Sequence, residues 1–295
     1  MNLIKEFRVP PGKKVKLSRH DPGYTAGLKG VFAPGKAGMP ALRQSGIAGL
    51  WGKNIDKEAV EKKLQENVPR LAELEYLLYA ERKHALLIVL QALDAAGKDG
   101  TIRHVMSGLN PQGCRVTSFK QPTTEEKEHD FLWRIHKAVP EKGEIGIFNR
   151  SHYEDVLAVR VHKLVPKSEW AKRYEQINAF ETILAENHVK VLKFFLHISK
   201  EEQKKRFQAR LEDPTKNWKV SPSDFEERKY WDDYMKAYED ALCRCSTAEA
   251  PWFIIPADHK WFRDFAVSRI IIETLEGLNM KFPPPSCDLS KIVLK

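Results

Sequence analysis

Two short runs of the chain carry side chains that could grip a phosphate. The first is Ala92-Leu93-Asp94-Ala95-Ala96-Gly97-Lys98-Asp99-Gly100. It resembles the phosphate loop G-x-x-x-x-G-K-[ST], in which backbone N–H groups and the start of a helix surround phosphate oxygens. Gly97-Lys98 keep their places, whereas Ala92 replaces the first Gly and Asp99 replaces the hydroxyl residue that reaches a metal. Asp94 adds a carboxylate where a hard cation would sit beside phosphate. On spacing alone a Gly-Lys pair in an ordinary turn is the competing reading. The second run, Asn149-Arg150-Ser151-His152-Tyr153-Glu154-Asp155, follows the apolar Gly146-Ile147-Phe148. Phosphotransferases with such a loop commonly place a metal-ligating Asp at the second site, and here the residue is the neutral Asn149. Arg150 has the planar fork that clamps phosphate. A salt bridge from Arg150 to Glu154 or Asp155 is the alternative.

A third basic group precedes and enters a proline-bounded stretch: Lys204, Lys205, Arg206 and Arg210, then Lys216 and Lys219 before Pro222. Arg206 and Arg210, four apart, share one helix face. Phosphoryl transfer spreads negative charge over oxygens, so a basic lid over residues 200–224 suits that chemistry. A solvated helix face is the plainer alternative.

These groups need a scaffold that brings them together. Ala85 to Leu90 is a continuous apolar run, as in a strand buried on both faces of a parallel sheet. Further strands are predicted at Arg115–Phe119, Glu144–Phe148, Lys190–His197 and Trp252–Pro256. Helices are predicted from Asp56 to Arg82, from Gly97, and over Thr123–Ala138, Lys167–Glu186, Lys200–Leu211 and Trp261–Glu276. Alternating strands and helices imply an α/β fold with a doubly wound parallel sheet, whose ligands lie at the carboxyl ends of its strands. Both runs fall there.

The chain has 295 residues, and its net charge of +9 suggests a polyanionic partner. Residues 1–54 hold ten Lys/Arg against two Asp/Glu, so eight of those nine charges lie in the first 54 residues. That segment is rich in Gly and Pro and reads as an extended basic arm, ahead of a domain over 55–280 and a tail over 281–295. The arm is expected either to capture a polyanion or to pack across the sheet. The remainder is nearly neutral, which disfavours a nucleic-acid-binding role. Four irregularly spaced cysteines suggest reduced thiols, with packing favoured over metal chelation at Cys243 and Cys245. No stretch has the length of a signal peptide's apolar core or a membrane span, so a cytoplasmic protein is expected.

Taken together, the Asp94–Gly100 loop, the Phe148–Glu154 run and the lid over Arg206–Pro222 resemble the second polyphosphate kinase family, across roughly residues 56–278. The resemblance implies a P-loop kinase-like fold with flanking helices and a helical lid. It implies phosphoryl transfer between inorganic polyphosphate and a nucleotide, with AMP, ADP and ATP as the nucleotides and Mg²⁺ or Mn²⁺ as cofactor. Asp94 would bind metal, while Lys98, Arg150, Arg206 and Arg210 would hold phosphates with the Ala95–Gly100 backbone, and Lys216 and Lys219 would assist from the lid. Asn-Arg-Ser followed by Tyr-Glu is similar to the class accepting AMP as well as ADP, which makes Asn149 and Glu154 candidates for acceptor selection. A homo-oligomer is expected. An ATP-dependent nucleotide kinase on the same fold is the nearest alternative.

Overall fold

The computed structural model describes residues 2–25 and 57–292. Its frame is a five-stranded sheet in the order β2-β3-β1-β4-β5, with every neighbouring pair parallel. The strands are β1 (Ala85–Gln91), β2 (Cys114–Ser118), β3 (Ile145–Asn149), β4 (Val189–His197) and β5 (Trp252–Pro256). β1 is central and buried along its whole length, as its unbroken apolar run requires.

Alternation along β1 divides the core in two. Leu86, Ile88 and Leu90 join one cluster with α2 (Lys57–Glu81), α3 (Lys98–Val105) and α11 (Lys260–Glu276). Ala85, Leu87 and Val89 face the other cluster, with α7 (Lys167–Glu186) and α10 (Trp231–Cys245). Each side contributes dispersion and the burial of apolar area, about 25 cal/mol per Å². On the α7 side, a charged group lies deep in the core: Lys193 donates to Tyr153 Oη at 2.9 Å and pairs with Glu181. Isolated charges at such depth would be prohibitive, and mutual pairing keeps them there.

Two expectations change. The helix predicted over Thr123–Ala138 is two short ones, α4 (Thr124–Glu128) and α5 (Trp133–His136). Thr123 and Glu126 form a capping box that starts the first, and Asp130 Oδ1 accepts from Leu132 N–H at 2.9 Å in the turn between them. The arm is not extended where it begins. Residues Leu3–Phe7 form helix α1, capped by Asn2, and Leu3, Phe7, Val9 and Leu17 are buried. Val9 N–H donates to Trp252 O at 2.8 Å and Arg8 bridges Phe253, so the segment covers the free edge of β5. Residues 26–54 of the arm lie outside the described residues.

The lid region begins with α8 (Lys200–Glu212), whose N-cap Ser199 accepts from Glu202 N–H, and continues through a 3-10 turn at Asn217–Lys219 into α9 (Pro222–Glu227). A short helix, α6 (Ala158–Val161), follows the second motif. Among the described residues no helix is long and apolar enough to cross a membrane.

Candidate functional site

Register alone brings the two motifs side by side. Leu90 on β1 pairs with Asn149 on β3, and Arg150 N–H donates to Leu90 O at 3.1 Å. Past that point the strands release their chains at the same end of the sheet. Two side-chain bonds then join the loops: Arg150 Nη2 to Asp94 Oδ1 at 2.8 Å, and Asn149 Nδ2 to Asp99 Oδ1 at 2.8 Å. The salt bridge of Arg150 is therefore with the phosphate loop rather than with Glu154 or Asp155.

The phosphate loop turns through two left-handed residues, Ala95 at φ 64° and Gly97 at φ 114°. For Ala95 this costs about 1 kcal/mol or more, the kind of strain that functional loops hold. Ala92 is not among the left-handed residues, so its methyl group adds no such strain. Lys98, at the start of α3, folds back over the loop and donates from Nζ to Ala92 O at 2.8 Å.

Arg206 lies elsewhere than expected. It is buried, with Nε on Glu202 Oε1, Nη1 on the Ala95 and Ala96 carbonyls, and Nη2 on those of Ala257 and Asp258. Five hydrogen bonds to protein occupy its fork, so it braces the phosphate loop from behind in this structure. Gln203, one turn earlier, adds a bond from Nε2 to Asp94 O at 2.8 Å. Arg210 stacks on Phe207 and contributes positive charge toward Asp94. Lys219 stands 3.9 Å from Asp99, while Lys216 is exposed and pairs with Asp213, away from the loop.

Burial raises the Asp94 carboxyl, but Lys98 and Arg150 more than reverse that and leave it below the ordinary carboxylate value. Burial lowers Lys98 despite Asp94. Arg150 is also pulled down by burial, yet Glu154 and Asp94 raise it above its ordinary value. The loop carboxylate is thus held ionised, with Arg150 as its hydrogen-bonded cation.

A cavity of about 370 Å³ opens beside Asp94 and Arg150, within the usual size range for ligand sites. Asp94, Arg150 and Glu154 of the two motifs line it together with Phe119, Arg134, Glu227 and Tyr234. Phe119 and Arg134 went unnoticed in the sequence, although Phe119 directly follows β2 at the ligand-binding end of the sheet. Gln203 and Tyr234 had no comparable signal.

Among the described residues no group of three His, Cys, Asp or Glu could hold a metal ion. A single loop carboxylate still fits Mg²⁺, which is commonly bound through one or two carboxylates with substrate phosphates and water completing its octahedron.

The sequence profile of polyphosphate kinase 2 (PPK2) matches residues 54–283. The chain belongs to the polyphosphate kinase 2 family. It is 47% identical to the AMP/ADP-polyphosphate phosphotransferase of Meiothermus ruber, over 99% of this chain and all of that one. It is 51% identical to the ADP-polyphosphate phosphotransferase of Rhodopseudomonas palustris, over 80% of this chain and 87% of that one. The crystal structure of polyphosphate kinase 2 from Arthrobacter aurescens superposes with a TM-score of 0.85 at 41% identity, covering 98% and 94% of the two chains. Fold and family membership thereby agree with the resemblance carried by the loop, the second run and the Arg206–Pro222 stretch, and the α/β parallel sheet is that of a polyphosphate kinase 2.

Proposed function

We propose that this polyphosphate kinase 2 moves a phosphoryl group between inorganic polyphosphate and AMP or ADP by in-line displacement. The observation that carries the reading is the pair of bonds from Arg150 to Asp94 and from Asn149 to Asp99, which sets both motifs on one cavity. A nucleotide phosphate oxygen is already ionised near neutral pH, so the reaction needs no strong general base. It does need two polyanions brought together against their repulsion. Lys98, Arg150 and Arg210 would supply positive charge around the transferring group, with Lys219 reaching in from the lid, and the Ala95–Gly100 backbone would donate to phosphate oxygens.

Mg²⁺ or Mn²⁺ bound at Asp94 would neutralise phosphate charge as the substrates approach. Arg150 would then exchange part of its contact with Asp94 for a substrate phosphate. Asn149 leaves Asp99 as the only carboxylate in its pair, and Glu154 lines the cavity; both support acceptance of AMP. A cytoplasmic setting and a homo-oligomeric state complete the reading.

Product analysis tests it. Purified protein with AMP, Mg²⁺ and polyphosphate should yield ADP, whereas AMP with ATP as sole donor should react far more slowly. ADP formation from ATP alone would favour an ordinary nucleotide kinase.

A further inference from the structure

Helix α11 sends one side chain beneath the phosphate loop. Arg263 is 1% exposed, and its Nη1 donates to Ala96 O at 3.2 Å. Its Nε and Nη2 both engage Asp264 Oδ1, at 2.8 and 2.7 Å. Asp264 also accepts from Thr101 Oγ1 at 3.2 Å and meets His104 Nδ1 at 3.0 Å, so the same carboxylate ties helix α3 to the guanidinium. From α8, Arg206 Nη1 reaches the same Ala96 carbonyl at 2.8 Å. One backbone carbonyl is shared by two buried guanidinium groups.

The glycines of the motif make room for this. A Cβ on Gly97 would stand 1.8 Å from Arg263 Nη1, and one on Gly100 would stand 3.2 Å from Nη2. Gly97 also needs its freedom for a φ of 114°, but Gly100 is not left-handed and lies inside α3. A glycine within a helix is ordinarily a liability. Close approach of Arg263 is what its missing side chain permits.

We propose that Arg263 is a positioning residue for phosphoryl transfer. Its guanidinium, seated against Gly97 and Gly100, holds the Ala96 carbonyl inward and thereby turns the Gly97 N–H toward the bound phosphate. The peptide unit is planar and trans, so pinning its C=O on one side directs its N–H to the other. Lysine cannot substitute, because one ammonium lacks the fork that reaches Asp264 and Ala96 together. The inference rests on the phosphotransferase reading of the loop and adds to it a residue far away in sequence.

A double-mutant cycle with Gly100→Ala and Arg263→Met tests it, reading kcat, KM for AMP, thermal midpoint and calorimetric affinity for inorganic tripolyphosphate. Arg263→Met and Arg263→Lys should each lower kcat and tripolyphosphate affinity about tenfold or more, as expected when a site is displaced by a fraction of an ångström, with KM for AMP changed less than about threefold. Gly100→Ala should lower both several-fold in the parent but change them less than about twofold once Arg263 is Met, because the atoms that crowd the added methyl belong to the Arg263 guanidinium. If Arg263→Met does not fold, the same comparison is made on Arg263→Lys. Tripolyphosphate affinity of Arg263→Lys within twofold of the parent, or independent multiplication of the two substitutions, overturns the inference. A parent without polyphosphate turnover would defeat the phosphotransferase reading instead, and the tripolyphosphate cycle would still decide the role of Arg263.

Discussion

Beneath the phosphate loop, Arg206 and Arg263 are each less than a tenth exposed and each makes at least three hydrogen bonds to protein. Above it, Lys216 and Lys219 in the lid have side chains 58% and 31% exposed, and Trp218 beside them is 78% exposed. Cations of the same sign serve two purposes. Those below are fixed before any substrate arrives, so they fix backbone geometry and lose little freedom on binding. Those above are solvated and can adjust, but their attraction is screened by water and salt. Positive charge in the motif region is therefore a poor guide to which residue touches phosphate.

Substitutions at four depths test that contrast. Lys98→Ala is expected to have the largest effect on rate. Removing one preorganised electrostatic donor costs about 3–4 kcal/mol of barrier, or two to three decades in kcat. Near-parental turnover in a folded variant would defeat the loop assignment. Asp94→Asn should be the next most harmful, lowering kcat by about one to two decades, because it removes the partner that Arg150 holds at 2.8 Å and, on the proposed function, the carboxylate that would bind the metal. Titrating Mg²⁺ should show a higher metal requirement in this variant; an unchanged requirement would remove Asp94 from the metal site.

In the lid, Lys219→Ala should cost about threefold to tenfold at low salt and less as the Debye length falls from about 10 Å at 0.1 M to about 3 Å at 1 M. Lys216→Ala should change kcat/KM less than about twofold, since its partner is Asp213. Equal effects of the two lysines would mean that the place of Lys219 beside Asp99 does not set its contribution.

The fourth test leaves turnover at neutral pH unchanged and reads stability. Burial pushes His197 down to about 4 from 6.5, while its Nε2 donates to His20 O at 3.0 Å, with His20 and Asp258 as the titratable neighbours. The folded state binds the proton less readily than the unfolded chain does. This contribution is therefore fully present above about pH 6.5 and is lost as pH falls toward 4, by about 3 kcal/mol in all. Urea midpoints between pH 7.5 and 4.5 should fall more steeply in the parent than in His197→Gln. Parallel slopes would show that another group governs the acid limb.

Local pattern made much of this visible beforehand. The apolar run at 85–90, the helix over 167–186 and the strand over 252–256 needed only periodicity and flanking breakers. Side-chain identity within the motifs singled out Asp94, Asp99, Asn149 and Arg150, which hydrogen bonds join across the two loops, and Asp94 and Arg150 line one cavity. What stayed hidden depends on distant packing. Arg206 has the same spacing to Arg210 whether it faces phosphate or the loop's carbonyls. Arg263 meets Ala96 across 167 positions, and nothing near it in sequence marks that contact. Leu3–Phe7 is too short to show a helical period, and its burial depends on β5 and α11.

That last contact has a consequence for how the molecule is made. The strip from Leu3 to Val9 lies on the edge strand at Trp252–Phe253, more than 240 residues later in the chain. At about 5–20 residues per second, synthesis leaves those first apolar side chains without their native partner for some tens of seconds. Leu3, Phe7 and Val9 must wait through the birth of the whole sheet, so a ribosome stalled before β5 should expose them to proteases and chaperones that the finished enzyme never meets.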